Sequence, residues 1–304
     1  MNIVNTQRAI TSDSVNASID RLVAASPGFR SETLGTTAFQ RPIRTLVFGN
    51  GPKHLLYTAT HHANEWITTL ILLKFAEDFG NALKNRTPLA GADVEALSNA
   101  VTFHLVPLVN PDGTDLVNGA IQVGDIQYEL ARRISGDYPV IPFPDGWKAN
   151  LLGTDLNLNY PAGWLQAREI KFLQGYVSPA PRDFVGTAPL NQLETQALSA
   201  YTEAVDPALV LAFHTQGQEI YWQFEDIQVD GARELGEKLA QVSGYTLAEV
   251  PYNSAFAGYK DWFIKTFRRP GYTIEAGLGT NPLPLSQFDQ IYKDTLPILV
   301  TAAT

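Results

Sequence analysis

The sequence of 304 residues contains no cysteine. This absence excludes a disulfide framework, a thiolate metal site and a cysteine nucleophile. Any metal that the chain binds must therefore be held by histidine and carboxylate side chains. The zero count also fits a reducing compartment. Because residues 1–16 show no basic region followed by an apolar stretch, we see no signal peptide and expect a cytoplasmic protein.

Basic runs and long apolar segments are missing as well. Charged residues make up 17% of the chain, the net charge is −9, and lysines and arginines form no run. These features argue against nucleic acid or an anionic membrane as the main partner. No window approaches 18 uninterrupted apolar residues, so we expect no membrane span. Hydrophobic residues make up 45%, which fits one globular domain covering residues 1–304.

The hydrophobic patterns that are present predict an α/β fold. Strands are predicted at 43–49, 54–60, 101–109, 208–214, 219–224 and 271–276. Helices are predicted at 12–25 with Ser12 or Asp13 as N-cap, 66–84, 192–205 with NQLE resembling a capping box, 232–243, 257–268 and 286–302. The stretch 110–190 has weak periodicity, and we expect it to be irregular and functional. This alternation predicts a largely parallel or mixed sheet, with sites at the carboxyl ends of its strands.

Two potential metal ligands follow the strand at 54–60. His62 and Glu65 are three residues apart, so a helical turn beginning there would place both side chains on one face. Histidine with a carboxylate is a normal zinc pair. The same residues also fit a capping histidine beside an exposed glutamate. His61 is a competing ligand, although it would point to a different side.

Two further polar residues interrupt buried strands. His214 ends the apolar run ALVLAF, and Glu275 lies within YTIEA. A carboxylate in an apolar strand is costly unless it is paired or functional, whereas a histidine at a core edge can simply bond to backbone. Two histidines, one binding carboxylate and one free carboxylate are the components of zinc-assisted hydrolysis. Three ligands leave a position for water, and the free glutamate takes its proton.

These residues stand in a pattern that resembles the zinc carboxypeptidase family. The resemblance covers residues 40–280 and rests on HHANEWIT, VNPDG at 109–113, the run DLNLN at 155–159, and the order and spacing of His214 and Glu275. It implies a single-domain α/β/α sandwich, with a mixed, mostly parallel sheet of about eight strands and helices on both faces. It also implies one Zn²⁺ bound by His62, Glu65 and His214, with Glu275 as general base.

The resemblance extends to residues that would contact substrate. Lys148 follows Trp147 where the family often has an arginine that stabilises the oxyanion. Asn157 and Tyr252 match a substrate-binding asparagine and the tyrosine that caps the substrate. These three roles are implied by the resemblance alone.

Within the family, four segments are most similar to bacterial γ-D-glutamyl-L-diamino acid peptidases, which cut peptidoglycan stem peptides. The segments are WKAN at 147–150, DLNLNYPAGW at 155–164, SPAPRDFVG at 178–186 and FHTQGQEIYW at 213–222. A peptidase for ordinary C-termini, an amino-acid deacylase and a non-catalytic muropeptide-binding homologue are the alternatives.

Two departures from the family pattern affect how a substrate carboxylate would be held. Leu158 and Asn64 stand where the family usually has arginines, which bind carboxylates in bidentate fashion. Another cation must therefore serve this purpose. We expect Arg182, which follows the stiff Pro-Ala-Pro stretch, to be that anchor, with Lys260 as the next candidate.

Overall fold

One eight-stranded sheet organises the molecule. The computed structural model describes residues 2–304. Its strands are β1 (Arg30–Thr36), β2 (Pro42–Gly49), β3 (Lys53–Ala59), β4 (Val101–Val106), β5 (Leu209–His214), β6 (Glu219–Tyr221), β7 (Thr246–Ala248) and β8 (Gly271–Glu275). Their spatial order is β1-β2-β4-β3-β5-β8-β6-β7. Parallel pairs join β4, β3, β5 and β8 at the centre, and antiparallel pairs occur toward both edges. The predicted mixed sheet of eight strands is confirmed.

Helices cover both faces of this sheet. They are α1 (Ser12–Ala25), α2 (Ile67–Asn85), α3 (Val94–Ala100), α4 (Pro111–Val117), α5 (Ile126–Gly136), α6 (Trp164–Leu173), α7 (Leu193–Val205), α8 (Ala232–Ser243), α9 (Tyr259–Phe267) and α10 (Phe288–Thr301). Successive side chains of a strand point to opposite faces. Leu55 and Tyr57 accordingly join a core with α2 and α10, whereas Leu56 joins a second core with α7 and α9. Among the described residues, no helix is both long and apolar enough to cross a membrane.

The central parallel strands bring the predicted functional residues to one edge. β3 pairs with β5 so that Ala59 lies opposite Phe213, and β5 pairs with β8 so that His214 lies opposite Glu275. Because these strands run in the same direction, their carboxyl ends meet at that edge. His214 and Glu275 are the last residues of their strands, and His62 follows shortly after β3.

Several helices and strands of the structure were not predicted from the sequence. The stretch 110–190 was predicted to be irregular but contains α4, α5 and α6, and β1, β7 and α3 were not predicted. β1 (RSETLGT) and the three-residue β7 carry no buried residue, so they lacked an apolar signature. α4 is short and is preceded by its N-cap Asn110, whose side chain accepts from the Gly113 N–H at 3.1 Å. Such a helix depends on its cap and on tertiary contacts more than on periodicity.

Two predicted helix caps also differ. Thr11 caps α1 by accepting from the Ser14 N–H at 3.2 Å, while Ser12 donates through its hydroxyl to Asp115 at 2.6 Å. No side-chain hydrogen bond caps α7, so NQLE does not form a capping box. The side chain of Gln192 instead accepts from Asn150 at 2.8 Å, because a buried partner is available there.

Candidate metal centre and active site

His62, Glu65 and His214 converge at the carboxyl edge of the sheet. A 3₁₀ turn over Ala63–Glu65 follows His62 and turns the His62 and Glu65 side chains toward each other. The Nδ1 atom of His62 lies 2.9 Å from one Glu65 oxygen, and Nδ1 of His214 lies 3.0 Å from the other. The two Nδ1 atoms are 3.2 Å apart. One ligand atom from each of these three residues therefore lies within 4.8 Å of the other two, close enough to hold a single ion.

This arrangement fits a zinc ion. With Zn–N distances of about 2.0–2.1 Å and tetrahedral angles, two ligand nitrogens stand about 3.3 Å apart. The observed nitrogen separation of 3.2 Å agrees. The Nε2 atom of His62 meets Asp155 Oδ1 at 3.1 Å, and a carboxylate on the far nitrogen is what orients a metal-binding histidine. His62, Glu65 and His214 form the candidate metal centre.

The electrostatics of the centre favour a cation. Burial lowers the pKa of His62, but the charges of Glu65 and Asp155 outweigh burial and raise that pKa to about 9. Burial likewise raises the pKa of Glu65, yet the charges of His62 and Lys148 hold it well below its usual range. Burial dominates at His214 and lowers its pKa. The site therefore combines an ionised carboxylate with imidazoles and attracts positive charge between them.

Glu275 faces the cavity beside this centre without belonging to it. The cavity has a volume of about 1020 Å³, and its wall includes His62, Glu65, Lys148 and Glu275. Burial first, and then the charge of Glu65, raise the pKa of Glu275 to about 8. A carboxylate with a pKa near neutrality can both accept and return a proton at physiological pH.

Lys148 reaches the same cavity from the segment after β4. Its ammonium lies 3.1 Å from Glu65 Oε1. Its backbone is tied on both sides, since its carbonyl accepts from Ala63 at 3.0 Å and its N–H donates to Pro181 at 2.8 Å. The side chain of Asn110 reinforces this junction by donating to the Ala149 carbonyl at 3.0 Å. The VNPDG motif thus fixes Lys148 close to the metal centre.

The predicted substrate residues differ in position. Asn157, Arg182 and Lys260 all line the cavity. Asn157 accepts from the Tyr259 N–H at 3.0 Å, so it also has a structural role. Tyr252 is 69% exposed and lies outside the cavity lining, although Pro251 and Asn253 belong to it. The structure therefore does not bring the predicted capping tyrosine into the cavity.

Arg182 and Lys260 offer different donors to this cavity. Arg182 is 40% exposed and uses Nε to bind Asp183 Oδ2 at 2.6 Å. Its two terminal nitrogens make no hydrogen bond and no ion pair among residues 2–304. The ammonium of Lys260 is buried, pairs with Asp261 Oδ1 at 2.5 Å and donates to the Gln223 carbonyl. Arg182 is therefore the freer of the two cations.

The two positions that lack the family arginines are occupied in other ways. Leu158 packs with Trp164 and Val185 in a small apolar cluster. Asn64 donates to the Asp145 carbonyl at 3.0 Å. His61 is fully buried; its Nε2 meets the Tyr160 hydroxyl at 3.2 Å, and its ring stacks on that of His214 with 5.6 Å between ring centres. It therefore packs against a candidate ligand and does not belong to the His62–Glu65–His214 group.

Sequence analysis did not assign two residues to the site that the structure places there. Asp155 orients His62, and its signal was present, since it opens the DLNLN run. Asn281 lies beside Glu65, with its amide 3.4 Å from Oε1, and it also donates to the Thr215 carbonyl at 3.0 Å. It follows β8 in a loop, where no pattern distinguishes it from an ordinary turn asparagine.

Comparisons with known proteins identify the family. Residues 15–298 match the zinc carboxypeptidase family. The chain is 42% identical to gamma-D-glutamyl-L-diamino acid endopeptidase 1 of Lysinibacillus sphaericus, over 98% of this chain and 73% of that protein. It is 36% identical to the uncharacterized protein YqgT of Bacillus subtilis (strain 168), over 96% and 77%.

Solved structures share the fold at lower identity. Bovine thrombin-activatable fibrinolysis inhibitor superimposes with a TM-score of 0.71 and 15% identity, covering 98% of this chain and 97% of that one. Murein-tripeptide amidase MpaA from Escherichia coli O157 gives 0.54 and 21%, covering 93% and 95%. With the family match over nearly the whole chain and the His-Glu-His centre at the sheet edge, this protein belongs to the zinc carboxypeptidase family and is a metallopeptidase.

Proposed function

We propose that the protein is a zinc-dependent peptidase that hydrolyses the bond between γ-linked D-glutamate and a diamino acid in peptidoglycan-derived peptides. The observation that carries this proposal is the 42% identity over 98% of the chain to an endopeptidase named for that bond. Support comes from the cavity, where the candidate metal centre, Glu275 and Lys148 are assembled.

The residues present suffice for the hydrolytic steps. His62, Glu65 and His214 would hold the zinc, which when bound supplies Lewis acidity toward a carbonyl and acidifies a coordinated water. Glu275 would accept a proton from the attacking water molecule as the oxygen of that molecule bonds to the γ-carbonyl carbon. Lys148 donates to the carbonyl oxygen, where negative charge develops. The carbon–nitrogen bond then breaks, and Glu275 returns its proton to the leaving amine.

Local contacts disfavour a peptidase for ordinary C-termini. The two positions where the family usually has carboxylate-binding arginines hold Leu158, which is buried in apolar contacts, and Asn64, which is engaged with Asp145. The carboxylate anchor of an ordinary carboxypeptidase is therefore absent at both positions, and any anchor must come from another cation of the cavity.

A defined substrate tests the proposal. Purified protein is incubated with L-Ala-γ-D-Glu-meso-diaminopimelate, and the products are identified by mass. We expect L-Ala-D-Glu and free diaminopimelate. The α-linked isomer and an N-acyl amino acid serve as controls. Cleavage of either control in preference to the γ-linked peptide would favour the carboxypeptidase or deacylase alternative, and no cleavage would favour the non-catalytic one.

Arg182→Ala is expected to lower kcat/KM for this substrate by roughly one to two orders of magnitude. The diamino acid carries a carboxylate, and hydrogen bonds to charged groups contribute roughly 1.5–3 kcal/mol. About 1.4 kcal/mol corresponds to a tenfold change. Steady-state kinetics provide the measurement. Because Arg182 also contacts Asp183 Oδ2 at 2.6 Å, zinc is measured on the same preparation and kcat/KM is given per zinc-loaded enzyme.

Arg168→Ala is the matched control, because Arg168 is exposed on α6 and lies outside the cavity lining. If Arg182→Ala cuts the γ-linked substrate as well as wild type does, Arg182 is not the anchor. Lys260 is then the next cation to replace.

Zinc binding should release about one proton per ion near pH 7. Ligating imidazoles must be neutral. The pKa of His62 is raised to about 9, so it is protonated at neutral pH, whereas the pKa of His214 is lowered. Zinc affinity should therefore rise as the pH approaches 9 and level off above it. Calorimetric titrations in buffers of different ionisation enthalpy measure the proton count; a count near zero at pH 7 would contradict the assignment of His62.

We further propose that the protein acts in the cytoplasm on recycled muropeptides. The absence of cysteine is compatible with a reducing compartment. Fractionation of the native organism should then recover the protein with cytoplasmic markers, and intact sacculi should release few fragments. Recovery mainly outside the membrane, or rapid digestion of sacculi, would contradict this location.

A further inference from the structure

Asp183 occupies an unusual backbone conformation next to the metal centre. Its φ is +66°, in the left-handed region that side chains other than those of asparagine, aspartate and glycine rarely adopt. It follows Arg182 on the segment whose Pro181 carbonyl accepts from Lys148. A residue held in this region beside a functional site indicates that the surrounding structure requires the conformation.

The backbone N–H of Asp183 reaches the carboxylate that orients a metal ligand. It donates to Asp155 Oδ2 at 3.1 Å. The other oxygen of Asp155 meets His62 Nε2 at 3.1 Å. Oδ1 also accepts from the Asn157 N–H at 3.2 Å. The two oxygens of this carboxylate thus have different partners, Oδ2 the Asp183 N–H and Oδ1 the Asn157 N–H and His62. The Asp183 N–H therefore helps to set the plane of the carboxylate that faces the His62 ring.

A nearly buried lysine holds Asp183 in place. The ammonium of Lys171, on α6, lies 2.6 Å from Asp183 Oδ1, and the two side chains are only 7% and 14% exposed. Arg182 Nε contacts the other oxygen at 2.6 Å. Because the Lys171–Asp183 pair is shielded from solvent, loss of either partner leaves a charge without full compensation.

We propose that Asp183 is a positioning residue for the metal centre, acting through Asp155, and that Lys171 holds it in the left-handed conformation this requires. The contacts run from Lys171 to Asp183, from Asp183 to Asp155, and from Asp155 to His62. This inference rests on the proposed zinc site. It adds two residues, on α6 and on the loop after it, that influence how tightly the metal is held without touching it.

The test measures zinc dissociation constants by competition with a chromophoric chelator. Partners beyond the ligands typically contribute about 10–100-fold in metal affinity. Asp183→Ala, which removes the carboxylate and disfavours positive φ, should weaken zinc binding by about that factor. Asp183→Asn keeps the conformation and can accept a hydrogen bond from Lys171 but leaves the lysine charge uncompensated, so it should lose less zinc affinity than Asp183→Ala does. Lys171→Met should resemble Asp183→Ala, whereas Arg168→Met on the same helix should have little effect.

A double variant separates positioning from general destabilisation. If Asp183 acts through Asp155, adding Asp183→Ala to Asp155→Ala, which has no side-chain acceptor for the Asp183 N–H, should weaken zinc binding by less than about threefold further, since coupled residues are not additive. Equal losses in both backgrounds, or wild-type affinity in both Asp183→Ala and Lys171→Met, would overturn the inference. The His62→Ala variant distinguishes failure of the zinc-site assignment from failure of the role proposed for Asp183. If it keeps zinc, the metal site itself is wrong; if it alone loses zinc, only the role of Asp183 fails.

Discussion

Replacing Glu275 with glutamine is expected to reduce kcat by about 10²–10⁴-fold while zinc content stays near that of wild type. Glutamine keeps the size of the side chain and removes its basicity. Glu275 is not part of the His62–Glu65–His214 group, so its loss removes no ligand. Steady-state kinetics on the γ-linked substrate and elemental analysis of the same preparation measure the two quantities together.

A neighbouring carboxylate gives the matched control. Glu219 lies opposite Glu275 in the β6–β8 pair, and its Oε2 accepts from the Tyr221 hydroxyl at 2.6 Å. Glu219→Gln removes a similar charge from the same corner of the sheet. Because the charge of Glu219 contributes to the raised pKa of Glu275, this variant should shift the pH dependence of kcat toward lower pH and keep most of the turnover. If Glu275→Gln loses less than about threefold, Glu275 is not the base.

The second large effect is expected from the metal ligands. His62→Ala should lower zinc from near one ion per chain to a small fraction, and turnover should fall with it, because a two-ligand remnant holds zinc weakly. Elemental analysis after dialysis without chelator measures the metal. His54→Ala is a suitable control, since His54 is near the start of β3, at the opposite end of that strand, and pairs with His104 at 2.9 Å. Full zinc content and activity in His62→Ala would refute the site.

The central part of the fold could be predicted from the sequence because its strands are buried on both faces. β5 (LVLAFH) is buried throughout, so one polar residue at its end stood out. Glu275 stood out in β8 for the same reason. His62 and Glu65 were apparent from their spacing after β3. Apolar runs thus marked the strands, and polar exceptions at their ends marked the site.

What remained unpredicted depends on tertiary contacts. The packing of α6 directs Lys171 to a carboxylate on the following loop. Asn281 reaches Glu65 from a loop after β8. The family resemblance supplied Tyr252, but its side chain is exposed and makes an edge contact with Phe256 at 5.3 Å between ring centres. No local pattern encodes where such loops lie relative to the sheet.

Some residues of the site lie on central strands and others on loops, and this difference determines which of them can be replaced between family members. His214 and Glu275 end adjacent hydrogen-bonded strands, whereas Lys148, Arg182 and Asp183 belong to the segment 110–190 that crosses over the sheet edge. Loops tolerate insertion and replacement far better than a central ladder does. Exchanging residues 178–186 between family members should therefore alter which peptide is accepted and how firmly the metal is retained, while the spacing of the proton-transferring and metal-binding groups stays the same. We therefore expect that replacing this loop can change the substrate, whereas the positions of His214 and Glu275 stay fixed by the strands that carry them.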